Sequence, residues 1–176
     1  MECPQDKNDD MKIIKEKMIN ADFIIFASPV YVHNVSGDMK IFFDRIGYWT
    51  HIMRLSGKAG IAIATSSGNG LDLTVNYIHK IMVFLGIKVV GRFGVIPYLP
   101  KDEVDNLAKK CSNIIIEFMN GKKIESDNQL EFVFKTNKDA IKLQENINSS
   151  EYRYWNESGL LKCNSFEEVL STIEKE

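Results

Sequence analysis

The sequence predicts one α/β domain built on a parallel sheet, and three observations support this fold class. The chain has 176 residues, of which 44% are hydrophobic and 26% are charged, as expected for a soluble globular domain with its own core. Continuous apolar runs occupy residues 23–27, 59–64 and 88–96, and they suit strands that are buried on both faces. Helical periodicity fills the intervals between them. Alternation of this kind predicts a parallel sheet with helices on both sides.

The first helix is predicted over residues 9–20, where Asp9 or Asp10 can cap its N-terminus. The first strand follows at residues 23–27. It is expected to stop before Pro29, because proline has no N–H for the ladder and restricts the residue before it. A loop of small and polar residues follows this strand.

The second helix begins after that loop, and its spacing places Ile41 and Phe42 on the inner face. Whether Arg45 continues this spacing is left open. After the second strand, a helix is predicted over residues 71–85. Gly86 is placed as the C′ residue that ends it, since glycine readily adopts positive φ. The chain therefore repeats the order helix, strand, helix.

A further helix is predicted over residues 102–119, which is followed by Gly121. Seven of its residues are expected to face the sheet: Val104, Leu107, Ala108, Cys111, Ile114, Ile115 and Phe118.

The last part of the chain, residues 122–176, is predicted to be a helical extension of a first domain over residues 1–121. A helix over 128–147 is favoured, and a strand at 130–134 is the alternative. A terminal helix is expected over 166–174, with a capping box. An arm containing Tyr152, Tyr154 and Trp155 must pack on the body or on a partner subunit.

Several classes of protein and site are excluded by composition. A formal net charge of -2 gives no reason to expect a nucleic acid or an anionic membrane as partner. No apolar run approaches the roughly 18 residues of a membrane span, and the N-terminus does not look like a signal peptide. Cys3, Cys111 and Cys163 lie far apart without CxxC spacing, which excludes a disulfide framework or a zinc site. Reduced thiols predict a cytoplasmic protein.

Two sets of motifs carry a family resemblance. The first set surrounds the first predicted strand and comprises Ala21-Asp22, Ser28-Pro29-Val30-Tyr31, Ser36-Gly37, Lys40 and Phe43-Asp44-Arg45. The second set comprises Thr65-Ser66-Ser67-Gly68-Asn69-Gly70 and Phe84-Leu85-Gly86. Together they resemble the NADPH-dependent FMN reductase family, in the branch that includes iron–sulfur flavoproteins. The resemblance implies a flavodoxin-like, three-layer parallel sheet.

The resemblance also implies a flavin site on two loops that follow the first two strands. In open parallel sheets, ligands bind beyond the carboxyl ends of the strands. The implied FMN-binding residues are Ser28, Pro29, Val30, Tyr31, His33, Asn34, Ser36, Thr65, Ser66, Ser67, Gly68, Asn69 and Gly70. The alternative for the first loop is a plain connection in which Ser36 or Asp38 caps the next helix. The alternative for the second loop is a glycine-rich turn.

The implied activity is hydride transfer from NAD(P)H to FMN and then to an unknown acceptor. The flavin performs this chemistry, so no catalytic side chain is predicted. His33, His51 and His79 have no partners at metal-ligand spacing, and no metal site is predicted. Asp44 and Arg45 are expected to be structural, through helix pairing or a subunit contact.

The chain departs from the family pattern in the region before residue 23. Flavodoxin-like folds place the phosphate on the loop after a first strand, which this sequence lacks, so we expect an N-terminally truncated fold. Cys3 alone cannot hold an iron–sulfur cluster, so none is expected. The strand at 23–27 would then be an exposed edge, which predicts a homodimer or higher homo-oligomer, or a fragment of a longer product. The alternative function is a non-enzymatic remnant or interaction module that binds no flavin.

Overall fold

The central sheet contains three parallel strands in the order β1-β2-β3. The structure is a computed structural model that describes residues 4–173. The strands are β1 (Phe23–Pro29), β2 (Ala59–Thr65) and β3 (Lys88–Val95). Phe23 pairs with Ala59 and Ala59 with Lys88, and the ladder between β2 and β3 is irregular after Gly60. All three predicted strands are confirmed, but the expectation that they are buried on both faces holds only for β2, since alternate residues of β1 and most residues of β3 are not buried.

Eight α-helices surround this sheet in the described residues. They are α1 (Met11–Asn20), α2 (Gly37–Arg45), α3 (Tyr48–His51), α4 (Leu71–Phe84), α5 (Lys101–Met119), α6 (Asn128–Lys142), α7 (Ser150–Glu157) and α8 (Phe166–Ile173). Short 3₁₀ helices lie at Pro4–Lys7 and Leu160–Lys162. The fold is the α/β, flavodoxin-like class that the sequence predicts.

The aromatic contacts of β1 define the three layers. The ring centroid of Phe26 lies 5.8 Å from that of Phe42 and 5.3 Å from that of Phe43, both on α2. The ring centroid of Phe23 lies 6.1 Å from that of Phe118 on α5. Successive side chains of a strand alternate between faces, so Phe23 and Phe26 point to opposite sides. The sheet therefore has helices on both of its faces, as predicted.

β1 continues to Pro29, so the prediction that it stops before this residue is wrong. Pro29 pairs in register with Thr65, and the N–H of the next residue, Val30, donates to the Thr65 carbonyl over 2.8 Å. Backbone groups of neighbouring residues point to opposite sides of a strand, so the nitrogen of Pro29 faces away from β2. Proline is tolerated there because no ladder hydrogen bond to β2 is lost.

The inner face of α2 differs from the prediction at Ile41. This side chain is 61% exposed, whereas Phe43 is buried and Phe42 is half-buried. Phe43 packs its ring against Phe26 of β1 and lies 6.1 Å from the ring of Tyr77 on α4. Aromatic packing from two directions thus orients the helix, and Ile41 faces solvent.

α5 covers its side of the sheet incompletely. None of its residues is fully buried, and Val104 and Ala108, which were predicted to face the sheet, are exposed. Ile25 of β1 lies on the same face of the sheet as Phe23 and is 47% exposed. The predicted apolar stripe of α5 is therefore only partly used within the described residues.

The C-terminal extension packs on the body of the same chain. α6 confirms the predicted helix and contradicts the alternative strand, although it ends at Lys142 rather than at residue 147. The Trp155 ring stacks on Phe134 with centroids 5.5 Å apart, and its Nε1–H donates to the His51 carbonyl over 2.9 Å. These side chains join the same core cluster as the strands. The predicted aromatic arm is helical, since Trp155 lies on α7.

The ends of two helices follow the predicted capping signals. Gly86 has φ of +87° after α4, as expected of a C′ glycine. At the start of α8, Ser165 Oγ accepts a hydrogen bond from the Glu168 N–H over 3.1 Å. The Glu168 carboxylate accepts from the Asn164 N–H over 2.7 Å, one residue before the partner of a standard capping box.

Candidate functional site

The two loops predicted to bind flavin lie side by side beyond β1 and β2. We call residues 28–36 the first loop and residues 65–70 the second loop. The N–H of Val30 donates to the Thr65 carbonyl, which fastens the base of one loop to the base of the other. At the far end, a Cβ placed on Gly70 would lie 2.9 Å from Val30 Cγ1 and 3.0 Å from His33 Cα. The fold therefore brings both loops into direct contact.

A tight two-residue turn forms the tip of the first loop. Tyr31 and Asn34 exchange backbone hydrogen bonds of 2.8 and 3.0 Å, and the residues between them are Val32 and His33. Val32 has φ of 49° and His33 has φ of 62°. Positive φ at both central positions is the pattern of a type I′ turn, which favours Asn-Gly. A left-handed conformation costs L-residues roughly 1–2 kcal/mol each.

The surface of this turn is both apolar and polar. Val32 is 95% exposed and Tyr31 is 62% exposed. His33 and Asn34 are also exposed. A flavin ring is a flat, largely apolar plate with a polar edge, so this combination of side chains suits its binding.

Two of the predicted site residues hold the first loop in shape. Ser28 is buried, and its hydroxyl accepts from the Ser36 N–H over 3.0 Å and donates to the Pro29 carbonyl over 2.9 Å. The Ser36 hydroxyl accepts from the Met39 N–H over 3.3 Å and caps α2, the cap that the plain-connection alternative expected. Both hydroxyls are therefore already occupied within the chain.

Hydrogen bonds within the second loop hold its shape, and polar groups remain free on its surface. The Ser66 hydroxyl donates to the Asn69 carbonyl over 3.0 Å and accepts from the Gly68 N–H over 3.2 Å. Thr65 and Ser67 are exposed, and their hydroxyls bond to no other residue in the described part of the chain. These two hydroxyls are available to a ligand.

The start of α4 offers further donors. Gly70 is the N-cap and has no side chain to accept from the N–H groups of the first turn. Such groups, together with the helix dipole, favour an external oxygen or anion. A Cβ on Gly68 would have no atom within 4 Å, so space is open beside the loop. Small residues, free hydroxyls and backbone donors fit the polar edge of FMN.

Arg45 has the structural role that the sequence predicts. Its guanidinium lies 2.6 Å from the Asp6 carboxylate and 2.5 Å from that of Asp9. Both acids precede α1, so Arg45 joins α2 to the start of the described chain. Lys40 pairs with Asp44 one turn along the same helix. These side chains engage one another and are not part of the two loops.

The other histidines also lie outside the two loops. His51 Nδ1 lies 2.7 Å from the Glu151 carboxylate on α7. Burial lowers the pKa of His79, and the Arg92 guanidinium lowers it further, against the opposing charge of Asp127. His51 therefore links α3 to α7.

The described residues contain no group of three His, Cys, Asp or Glu side chains that could hold a metal ion. Cys111 and Cys163 are free and half-buried, and burial raises the pKa of the Cys111 thiol. Cys3 lies outside the described residues. Residues 4–173 offer no fit for an iron–sulfur cluster, and the expectation of none in the whole chain stays a prediction. No helix in the same range is long and apolar enough to cross a membrane.

The sequence indicates that Val32 can lie along the ring with Val30 and Tyr31, but it predicts neither the turn at the tip of the first loop nor the contact between Gly70 and His33. Val-His carries no local signal for a type I′ turn, because Asn-Gly is the usual pair there. Only the tertiary structure shows that the tip is held in this conformation.

Comparison with known proteins finds iron–sulfur flavoproteins and an NAD(P)H dehydrogenase among the relatives of this chain. An iron–sulfur flavoprotein of Archaeoglobus fulgidus is 35% identical over 166 residues, which cover 91% of this chain and 74% of that protein. An iron–sulfur flavoprotein of Methanosarcina thermophila is 36% identical over 121 residues, which cover 61% of this chain and 63% of that protein. An NAD(P)H dehydrogenase (quinone) of Acidithiobacillus ferrooxidans is 35% identical over 86 residues, which cover 47% of this chain and 40% of that protein.

Among solved structures, the Trp repressor binding protein from Bacillus subtilis aligns with a TM-score of 0.46 and 25% identity, covering 57% of this chain and 66% of that one. The chain thus spans between 40% and 74% of the length of the three sequence relatives above. The sequence pattern of the family described as NADPH-dependent FMN reductase matches residues 1–98, a range that includes both loops. The chain belongs to the NADPH-dependent FMN reductase family.

Proposed function

We propose that this chain is an FMN-dependent oxidoreductase that takes a hydride from NAD(P)H and passes electrons to an acceptor still to be identified. Its family and its flavoprotein relatives support an FMN-dependent oxidoreductase. The observation that carries the proposal is the contact between the two loops, where Gly70 packs against Val30 and His33 at the carboxyl edge of the sheet.

In this proposal, the residues of the chain bind and orient the ring. The first loop supplies apolar and aromatic surface through Val30 and Tyr31. The second loop supplies the hydroxyls of Thr65 and Ser67, and the start of α4 supplies backbone donors for the polar edge of the ring. Bound FMN would supply the hydride chemistry. No side chain is required as an acid or a base, so we propose no catalytic residue.

The first test is a visible absorption spectrum of the purified protein, followed by titration with FMN. We expect flavin bands that persist after excess FMN is removed, and bleaching of those bands when NADPH or NADH is added without oxygen. The absence of binding up to high micromolar FMN would overturn the proposal. That result would favour a module that keeps both loops and binds no flavin, which family membership does not favour.

The proposed location is the cytoplasm, where free thiols such as those of Cys111 and Cys163 stay reduced. Fractionation of cells that express the protein would test this, and recovery outside the cytoplasmic fraction would contradict it.

A further inference from the structure

A cavity of about 670 Å³ lies between the C-terminal extension and the segment that precedes β2. Residues 53–56 line one part of it, and the end of α7, the following 3₁₀ helix and α8 line the rest. Cavities of about 300–1,000 Å³ commonly hold small organic ligands. This one lies near the start of β2, whereas both flavin loops lie where the strands end. The seven residues of β2 span about 20 Å, so a ligand in the cavity is remote from those loops.

Two cations in this cavity have no anionic partner among residues 4–173. Arg54 and Lys162 both line it and are exposed, and neither forms an ion pair in that range. Glu157 is the one acidic residue of the lining within the described part of the chain, and it pairs with neither cation. The lining therefore carries an excess of one positive charge. Such an excess favours an anionic ligand.

The guanidinium of Arg54 is held in position before any ligand arrives. Its Nη1–H donates to the Tyr154 hydroxyl over 3.1 Å, and its central carbon lies 5.6 Å from the centre of that ring. The backbone N–H of Arg54 donates to the Trp49 carbonyl over 3.2 Å. A guanidinium has five N–H donors, so the others stay available for a carboxylate, which it binds through two parallel hydrogen bonds. A group positioned in advance loses less entropy on binding.

Much of the remaining lining is apolar. Met53 and Val169 are buried, and Ile173 is 41% exposed. The hydroxyls of Ser56 and Thr172 donate to backbone carbonyls over 2.7 and 3.0 Å, so they are not free donors. Apolar walls together with unpaired positive charge suit a ligand that has an apolar body and an anionic group. A carboxylate carries the single charge that balances the lining, whereas a phosphate group carries nearly two.

We propose that this cavity binds a small organic carboxylate with an apolar body, and that Arg54 binds the carboxylate group. The site is separate from the flavin loops, and the inference does not rest on the proposed function. Lys162 contributes positive charge, and Tyr154 is a positioning residue that acts through Arg54.

The test is calorimetric titration of the full chain with octanoate and with 1-octanol, which has the same chain length and no charge. We expect octanoate to bind more tightly. Arg54→Gln is expected to weaken octanoate binding by at least about tenfold, because charge-assisted hydrogen bonds are lost, and to leave 1-octanol binding unchanged. Lys162→Gln is expected to weaken octanoate binding by about two- to fivefold, since an exposed charge contributes less.

Two further variants complete the design. Lys109→Gln removes an exposed cation from α5, outside the cavity, and should change neither affinity. Tyr154→Phe keeps the ring and removes the hydroxyl that positions Arg54, so it should weaken the binding of octanoate and not that of 1-octanol. Thermal unfolding without ligand checks that each variant is folded.

Weaker octanoate binding in Arg54→Gln, with unchanged 1-octanol binding, supports the inference. Equal octanoate affinities of wild type and Arg54→Gln, or no octanoate binding to wild type, would overturn it. Octanoate affinity should be the same with and without FMN, because competition would place octanoate at the flavin loops and refute a separate site. A chain that ends at Ile173 tests residues 174–176 as the occupant instead. Octanoate binding to that shorter chain alone would contradict the proposal.

Discussion

Two features of the structure require glycine at residue 70: the backbone has positive φ, and the first loop lies too close to leave room for a side chain. Its φ of +85° is readily adopted only by glycine, and a Cβ there would lie 2.9 Å from Val30 and 3.0 Å from His33. No side chain therefore fits without moving the first loop away from the second. The contact between the loops depends on this one residue.

Gly70→Ala is expected to destabilise the protein and to weaken flavin binding. The left-handed conformation alone costs alanine about 1–2 kcal/mol, which lowers the Tm by roughly 2–8 °C in a chain of this size, before the clash is counted. Thermal unfolding and FMN titration measure the two effects. Gly68→Ala is the control for stability, since its Cβ would meet no atom within 4 Å. Equal stability of both variants would contradict the packing described here.

At the residue scale, the sequence locates the loops and does not assign roles within them. Ser28 and Ser36 have the polar side chains expected of ligand contacts, yet their hydroxyls bond to the loop itself. Val32 has the apolar side chain expected of a buried residue, yet it is 95% exposed. Hydrogen-bond partners and burial depend on tertiary contacts that a local pattern does not contain.

At the scale of elements, Asp127 connects the extension to the sheet. Its carboxylate caps α6 by accepting from the Gln129 and Leu130 N–H groups over 2.9 and 3.0 Å, and it pairs with Lys88 of β3 at 2.9 Å. Burial alone would raise the pKa of Asp127. The Leu130 and Gln129 N–H groups and the Lys88 ammonium outweigh burial and hold this pKa below its ordinary value.

This pKa direction predicts a dependence of stability on pH. Because the pKa of Asp127 is lower in the folded state, its charge stabilises the protein above the unfolded-state pKa of about 3.9. That contribution is lost as the pH falls through the folded-state value. We expect Asp127→Asn to be less stable than wild type at pH 7, with a difference in Tm that shrinks below about pH 4. Calorimetry from pH 7 to pH 3 measures this, and a constant difference would contradict it.

Asp127→Ala separates the cap from the charge. It removes the acceptor for the α6 N–H groups as well as the partner of Lys88. A lost N-cap costs about 1 kcal/mol, so the Tm at pH 7 should fall by roughly 2–4 °C, and by more than in Asp127→Asn. Equal Tm values for the two variants would show that the cap contributes nothing.

The elements themselves were largely predictable, and the errors have physical causes. The continuous apolar run of β1 predicts a buried strand, but proline at an edge position does not end the strand. The run from Leu130 to Phe134 suits both a helix and a strand, and the buried residues Val133, Phe134 and Ile141 show that the helical period is the one used. Short apolar runs are ambiguous because both periods fit them.

At the scale of the whole molecule, the layers follow from the alternation of helices and strands, whereas the docking of the extension does not. The sequence left open whether the aromatic arm packs on the body or on a partner. Trp155 answers this through its bond to the His51 carbonyl, a backbone group that has no sequence signature. Long-range pairing of this kind is available only from the structure.

The open edge of β1 leads us to propose a homo-oligomer. Ile25 is 47% exposed, and the outward N–H groups of Phe23, Ile25 and Ala27 have no partner strand among residues 4–173. Such an edge favours pairing with another chain. We expect the mass in sedimentation velocity to rise with protein concentration, and Ile25→Lys to reduce that rise. Leu143→Lys is the control at a distant exposed position. A monomer at every concentration would overturn this proposal.

The position of Pro29 sets a limit on any such pairing. Pro29 has no N–H to give to an incoming strand, and its carbonyl already accepts from the Ser28 hydroxyl. A strand added along β1 can therefore form its ladder only as far as Ala27, and it must leave β1 before it reaches the loop that carries Val32. The proposed self-association and the proposed ligand binding are then compatible, because Pro29 lies between the edge proposed for assembly and the loop tip proposed for the ligand.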